Sequence, residues 1–168
     1  LIVGFKFNSP NLIIAKETSE LDPNLYVIIS PNNTITFKLP NIELGQGTHT
    51  GQAIIIAEEL EVSLDKVNVI NAPPDPRYGR LNTGGSASIR NNFKKLLKIG
   101  ATTKEILLKA ASSKWNVPVN ECFASNGTVI HSKSNRSLTF GELANKATKL
   151  EIPSNPKLKN CLLYTSPS

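Results

Sequence analysis

The sequence predicts a mixed α/β fold of the α+β kind, with helices packed on one mixed sheet. Three observations carry this. The 168 residues suit one ordinary domain. A hydrophobic share of 39% with 19% charged residues is that of a chain that buries a core and keeps a wet surface. Short β-branched runs also alternate with longer segments of helical apolar spacing, which is the pattern of helices laid on strands.

Residues 1–25 read as an irregular lead-in, with Pro10, Pro23 and several Asn and Ser. Its apolar opening at residues 1–5 is either a frayed first strand or the remnant of a secretion signal. Tyr26–Ile29 and Thr34–Lys38 are β-rich, and Pro31-Asn32-Asn33 between them predicts a hairpin. Ile35 and Phe37 alternate with Thr34, Thr36 and Lys38, so one face of the second strand is expected to be buried. From Thr50 to Leu60 the spacing is helical, with Ala53, Ile56, Ala57 and Leu60 on one face and Ile54 and Ile55 widening it. A strand follows at Val67–Ile70, then a loop marked by Pro73, Pro74, Pro76 and Gly79.

A long helix is expected from Ser86 or Ser88 to about Lys114. Its stripe includes Ile89, Phe93, Leu96, Leu97, Gly100, Leu107, Ala110 and Ala111. Lys94, Lys95, Lys98 and Lys109 fall largely off that stripe, and Trp115 is expected to plug the helix end. Asn126-Gly127 predicts a second hairpin. Thr139 with Glu142 predicts a capping box opening a last helix through about Lys149. The domain is thus read as 26–152, followed by an irregular tail over 153–168.

Composition narrows function by exclusion. Nineteen basic against thirteen acidic residues give +6, which permits an acidic partner without demanding one. The lysine face of the long helix lacks the interleaved aromatics of a single-strand stacking platform, so it reads as solvated and no nucleic-acid partner is expected. Cys122 and Cys161 form no C-x-x-C pair, and His49 and His131 are the only histidines, so no metal site is expected. His49 has no nucleophile spaced to make a triad, and its duty is read as structural. No apolar run reaches membrane-span length. Methionine is absent, so the sequence is read as processed or as a fragment.

Two glycine-rich corners remain. Gly45-Gln46-Gly47, ahead of the first helix, lets backbone approach a ligand, and Gln46 offers an amide donor and a carbonyl acceptor. The first amides of the helix behind it are expected to favour an anion. Thr83-Gly84-Gly85-Ser86-Ala87-Ser88 leads into the long helix with small residues and three hydroxyls, a recipe for holding phosphate that matches neither a Walker loop nor a G-x-G-x-x-G fingerprint. The bland reading of each corner is helix capping, by Thr50 or by Ser86 or Ser88. If the two helices lie side by side, both corners could hold parts of one phosphorylated cofactor.

The ordered set of motifs resembles a known family. Ile42-Glu43-Leu44-Gly45-Gln46-Gly47-Thr48-His49-Thr50, Ala57-Glu58-Glu59-Leu60, Val67-Asn68-Val69 and Ala72-Pro73-Pro74-Asp75-Pro76 carry the resemblance. Thr83 through Arg90 and Gly100-Ala101 complete it. The family is the molybdenum-cofactor-binding large subunit of the xanthine dehydrogenase and aldehyde oxidase group. The branch of the isoquinoline 1-oxidoreductase beta subunit looks nearest.

The resemblance implies an N-terminal segment of an oxidoreductase that hydroxylates N-heterocycles or oxidises aldehydes with oxygen from water. The implied cofactor is molybdenum–molybdopterin cytosine dinucleotide, and the implied partner is an iron–sulfur small subunit carrying [2Fe–2S]. It gives Gly45, Gln46, Gly47, Thr83, Gly84, Gly85, Ser86, Ala87 and Ser88 as cofactor-binding residues. No catalytic residue is assigned: the family's base lies far downstream of this stretch, and Glu43 matches the cofactor loop instead. A fragment of this kind is expected to be inactive alone. The branch's twin-arginine export implies a periplasmic parent protein, with a cytoplasmic one as the alternative. The stretch between Asp75 and Thr83 is shorter than in that branch, and residues from 161 onward leave the pattern and are expected to be disordered. The competing reading is a non-redox module for another phosphorylated ligand.

Overall fold

The computed structural model describes residues 25–164. The lead-in up to residue 24, with its suggested signal remnant, lies outside them. The mixed α/β class holds, but the strands form two three-stranded sheets where one was expected.

The first sheet contains β1 (Val27–Ile29), β2 (Ile35–Leu39) and β3 (Val67–Asn71). β1 and β2 are the expected hairpin, antiparallel with Val27 opposite Phe37. β3 runs parallel to β2, with Ile35 opposite Val67. Parallel neighbours need a crossover, and α1 (Thr48–Leu60) provides it. Ile35, Phe37 and Leu39 point into the core, as the alternation predicts.

After β3 the chain enters α2 (Ser88–Trp115), 28 residues long. At about 1.5 Å per residue it carries the chain roughly 40 Å. The strands that follow, β4 (Cys122–Ser125), β5 (Thr128–His131) and β6 (Arg136–Thr139), therefore pair with one another as an antiparallel meander. Asn126 and Gly127 both have positive φ, 46° and 82°, in the two-residue turn joining β4 to β5. α3 (Phe140–Ala147) closes the domain behind the expected capping box, with Thr139 and Glu142 bonded reciprocally.

α1 and α2 lie side by side. They are closest at Gly100, where an added Cβ would stand 2.5 Å from the Ile56 carbonyl and 2.7 Å from Glu59 Cβ. From Leu96 onward the expected stripe of α2 is buried. Ile89 and Phe93, placed on that stripe by spacing, are 37% and 42% exposed. Ile54 of α1 is likewise outward, while Ile55 is buried. Trp115 ends α2, packs on the core edge and receives the Arg136 guanidinium over its ring. Residues 161–164, expected to be disordered, include a short 3-10 turn at Cys161–Leu163. Tyr164 Oη donates to Glu59 across 2.7 Å, so the tail has a definite anchor.

Candidate functional site

The first glycine corner is shaped from within by Glu43. Its Oε1 accepts the amides of Gly45 and Gly47 at 2.8 and 2.9 Å, and its Oε2 accepts that of His49 at 2.9 Å. Gly45 and Gly47 have φ of 94° and 76°, a region that favours glycine. One first-turn amide of α1, that of His49, and the N-cap amide of Gly47, which the sequence reading reserved for an anion, are thus occupied by a side-chain carboxylate. Those bonds, His49's foremost, hold the Glu43 carboxyl below its ordinary range, against a smaller upward push from desolvation. Gln46 likewise bonds within its own loop. Its Oε1 accepts the Leu44 amide at 2.6 Å, and its Nε2 donates to the Ile42 carbonyl and to Thr48 Oγ1.

The second corner is bound to the first by one hydroxyl. Thr83 Oγ1 accepts the Ile42 amide at 2.8 Å and donates to the Ile42 carbonyl at 3.0 Å. Gly85 and Ser86 follow with φ of 63° and 50°. The expected capping by Thr50, Ser86 or Ser88 is absent. Gly47 and Ala87 are the N-caps, and neither makes a side-chain cap bond. Ser86 and Ser88 hydroxyls have no hydrogen-bond partner among the described residues.

Between the corners lies a cleft of about 430 Å³ that includes Gln46, Thr48, Thr83, Gly84, Ser86 and Ser88 in its wall. It adjoins a broader one of about 670 Å³ through Gly84 and Ser88, where Gly85 and Ala87 face in. Seven of the nine sequence-selected residues therefore border one or other of these two adjoining clefts. Gly45 and Gly47 line neither part. An added Cβ at Gly84 or Gly85 would meet nothing within 4 Å, so both leave open space that a ligand could fill.

Sequence reasoning missed the hub beneath these clefts. Asn41, only 3% exposed, accepts from Gln52 Nε2 at 2.7 Å and from Asn92 Nδ2 at 3.0 Å, and donates to the Asn82 carbonyl at 2.9 Å. His49 Nε2 lies 2.9 Å from the Asn41 carbonyl, which gives that histidine the structural duty read from the sequence. Gln52 and Asn92 both also reach the Ser88 carbonyl. One buried asparagine thus ties the end of β2 to α1, α2 and the second corner. A single Asn after Pro40 gives no pattern from which this could be foreseen.

Two side-chain-poor corners thus stand on adjacent helix starts, bonded to each other through Thr83 and Ile42, with Gln46 from the first and most of the second bordering adjoining clefts in a mixed α/β segment. The chain belongs to the family described as the molybdopterin cofactor-binding domain, whose model matches residues 3–165. It is 32% identical over 130 residues to the beta subunit of isoquinoline 1-oxidoreductase of Brevundimonas diminuta, covering 73% of this chain and 17% of that protein. Over 164 residues it is 27% identical to a nicotinate dehydrogenase subunit of Pseudomonas putida, covering 95% of this chain and 14% of that one. Among solved structures, quinoline 2-oxidoreductase from Pseudomonas putida 86 shares the fold with a TM-score of 0.57 at 19% identity, over 73% of this chain and 16% of that one. CO dehydrogenase from Oligotropha carboxidovorans also gives 0.57, at 22% identity over 79% and 17%. The chain spans about one-sixth of the length of the curated relatives it matches.

Proposed function

We propose that this chain is the cofactor-cradling segment of a molybdenum-dependent hydroxylase large subunit. The parent enzyme would oxidise an N-heterocycle or an aldehyde with water as the oxygen source. Relatives named for isoquinoline and nicotinate support the heterocycle, and a 27% identical relative of Gluconacetobacter polyoxogenes, named as a membrane-bound aldehyde dehydrogenase of the pyrroloquinoline-quinone kind, supports the aldehyde as a substrate but not the metal. Two of these relatives are themselves named as subunits, which supports a partner chain, and we assign it as the iron–sulfur small subunit carrying [2Fe–2S]. We assign the cofactor's cytosine dinucleotide form and a periplasmic parent on the motif resemblance. Among the described residues no helix is long and apolar enough to cross a membrane.

The observation that carries the reading is the reciprocal Thr83–Ile42 bond, which closes both glycine corners on one cleft. The residues present fit the group. Gly84 and Gly85 give backbone access, and the Ser86 and Ser88 hydroxyls are unengaged among the described residues. Gln46 would act chiefly by holding the first corner in shape, through its bonds to Leu44, Ile42 and Thr48, beside the ring end. The second corner, through its amides and hydroxyls, would hold a phosphate-bearing part. When bound, the cofactor supplies the redox-active metal; the chain's own contribution is binding and orientation.

The test is the metal and pterin content of the purified full-length subunit. Gln46→Ala and Gly85→Val are each expected to lose most of both, the first by loosening the corner and the second by filling the approach and straining a backbone held at φ 63°. Wild-type occupancy in both variants would refute the assignment of these loops.

A further inference from the structure

At the end of α2 remote from the second corner, the β4–β5–β6 meander brings a serine, a histidine and a carboxylate into one line. His131, the last residue of β5, is buried and bonded at both ring nitrogens. Nε2 lies 3.0 Å from Glu121 Oε2, and Nδ1 lies 2.6 Å from Ser134 Oγ. Lys133 Nζ donates to the other Glu121 oxygen at 2.5 Å. Arg136 Nε donates to Ser134 Oγ at 2.6 Å, and Arg136 is itself fixed through Nη1 to the Trp115 carbonyl at 3.4 Å. Ser134 is exposed, on the turn between β5 and β6.

This bonding sets the direction of the protons. Bonds to Lys133 and then to His131 hold the Glu121 carboxyl below its ordinary range, against an upward push from desolvation. A carboxylate only accepts, so in neutral His131 the hydrogen sits on Nε2 and Nδ1 is left as an acceptor. The Ser134 hydroxyl therefore donates to Nδ1 while its oxygen accepts from the Arg136 guanidinium. One oxygen thus faces both a base for its proton and a cation for the charge left behind. Ser132 gives the contrast on the same turn, for it is exposed and its hydroxyl has no hydrogen-bond partner among the described residues.

We infer that Ser134, His131 and Glu121 form a second reactive site, independent of the cofactor reading, in which Ser134 is acylated by small activated esters that reach it from solvent. Ser134 Oγ bonds to the ester carbonyl carbon as its proton passes to His131 Nδ1. The ester C–O bond then breaks with its electron pair, and the leaving oxygen takes the proton from Nδ1. The products are acylated Ser134 and a free alcohol, with no change of oxidation state. Arg136 Nη2 makes no hydrogen bond among the described residues and is left for the carbonyl oxygen as that oxygen gains charge. Ser134 and His131 touch the reacting atoms. Glu121 is a positioning residue that holds the imidazole tautomer and balances the imidazolium formed in the step.

The probe is p-nitrophenyl acetate, added to the full-length subunit at neutral pH. Release of about one equivalent of p-nitrophenol is expected as the acetyl group accumulates on the enzyme. Peptide mass spectrometry should place that group on Ser134, with Ser132 reacting about a hundredfold or more slowly, the low end of what a positioned base supplies. Ser134→Ala should abolish the acetylation. Glu121→Gln should slow it about a hundredfold or more, because an amide can donate to Nε2 and fix the wrong tautomer.

The pH profile separates this role from a merely structural one. His131 is faced by Glu121 ahead of β4, Cys122 opposite it on β4, Lys133 and Ser134 on its own turn, Arg136 on β6 and the Trp115 ring from α2. Wild-type acetylation should fall on acidification, as Nδ1 gains a proton and ceases to accept from Ser134, whereas the Glu121→Gln rate should be low throughout. Acetylation on Lys133, or equally on Ser132 and Ser134, would overturn the site. So would a Ser134 rate that neither Glu121→Gln nor acid changes, since that hydroxyl would be no more reactive than its exposure allows.

Discussion

At the scale of single residues, the first corner depends on one carboxylate accepting three amides. Glu43 has a lowered pKa in the folded chain, so its stabilising contribution is whole above its ordinary value of 4.5. That contribution is lost as pH falls through the lower folded value, because the unfolded chain then binds the proton more readily. Protection of the Gly45, Gly47 and His49 amides, measured by NMR exchange relative to the unfolded-chain rate at each pH, should therefore be high at neutral pH and fall on acidification. Glu43→Gln offers one carbonyl where two carboxylate oxygens were shared, and its NH₂ would face backbone donors. Low protection at neutral pH, changing little on acidification, is expected, and protection equal to wild type would contradict the role. This explains why a glutamate beside the glycine motif need not be a catalytic base. It occupies the amides of Gly45, Gly47 and His49 that an anion at this corner would otherwise take.

At the scale of elements, the cleft exists because two helices start side by side, and they do so because Gly100 lets them touch. Alanine there would place Cβ against the Ile56 carbonyl and Glu59 Cβ at 2.5 and 2.7 Å. The change gains helix propensity of about 1 kcal/mol, but wedging apart a packed contact costs about 1–3 kcal/mol. Gly100→Ala is expected to be destabilising overall in urea unfolding. Gly84→Ala, facing open space without a positive φ, should stay within about 0.5 kcal/mol of wild type. Equal midpoints would show that the crossing is loose. The sequence reading located both helices and both corners, because apolar spacing and glycine placement are local signals. It misplaced Ile89 and Phe93 for a reason of the same kind. Periodicity identifies an apolar face but not whether a neighbour reaches it, and these residues lie in the part of α2 before its packed stretch. β6 escaped notice because Arg-Ser-Leu-Thr is short and mostly polar, and its pairing comes from β5. The Asn41 hub was invisible because its partners lie 11, 41 and 51 positions away.

At the scale of the whole molecule, residues about a hundred positions apart are joined at the end of α1. Glu59 is fully buried, and its carboxylate accepts the Lys159 amide at 3.0 Å and the Tyr164 hydroxyl at 2.7 Å. The Lys159 ammonium meets Glu58 at 2.6 Å and Glu61 at 3.2 Å. Burial pulls its pKa down, but bonds to these two carboxylates outweigh that and leave it raised. The returning segment is therefore attached through backbone as well as through charge. The two contributions can be separated by mutation. Tyr164→Phe removes one hydrogen bond to a charged acceptor and should lower stability by about 1.5–3 kcal/mol at most. Glu59→Ala strips the partner from both the amide and the hydroxyl and opens space beside Gly100, so its loss in urea unfolding should clearly exceed that of Tyr164→Phe. Faster exchange of the Lys159 amide should accompany Glu59→Ala and be absent in Tyr164→Phe. If the two variants unfold at the same denaturant concentration with that amide equally protected, the tail merely rests on α1. If they separate as described, Glu59 locks the returning chain onto the helix pair whose opposite ends carry the two glycine corners.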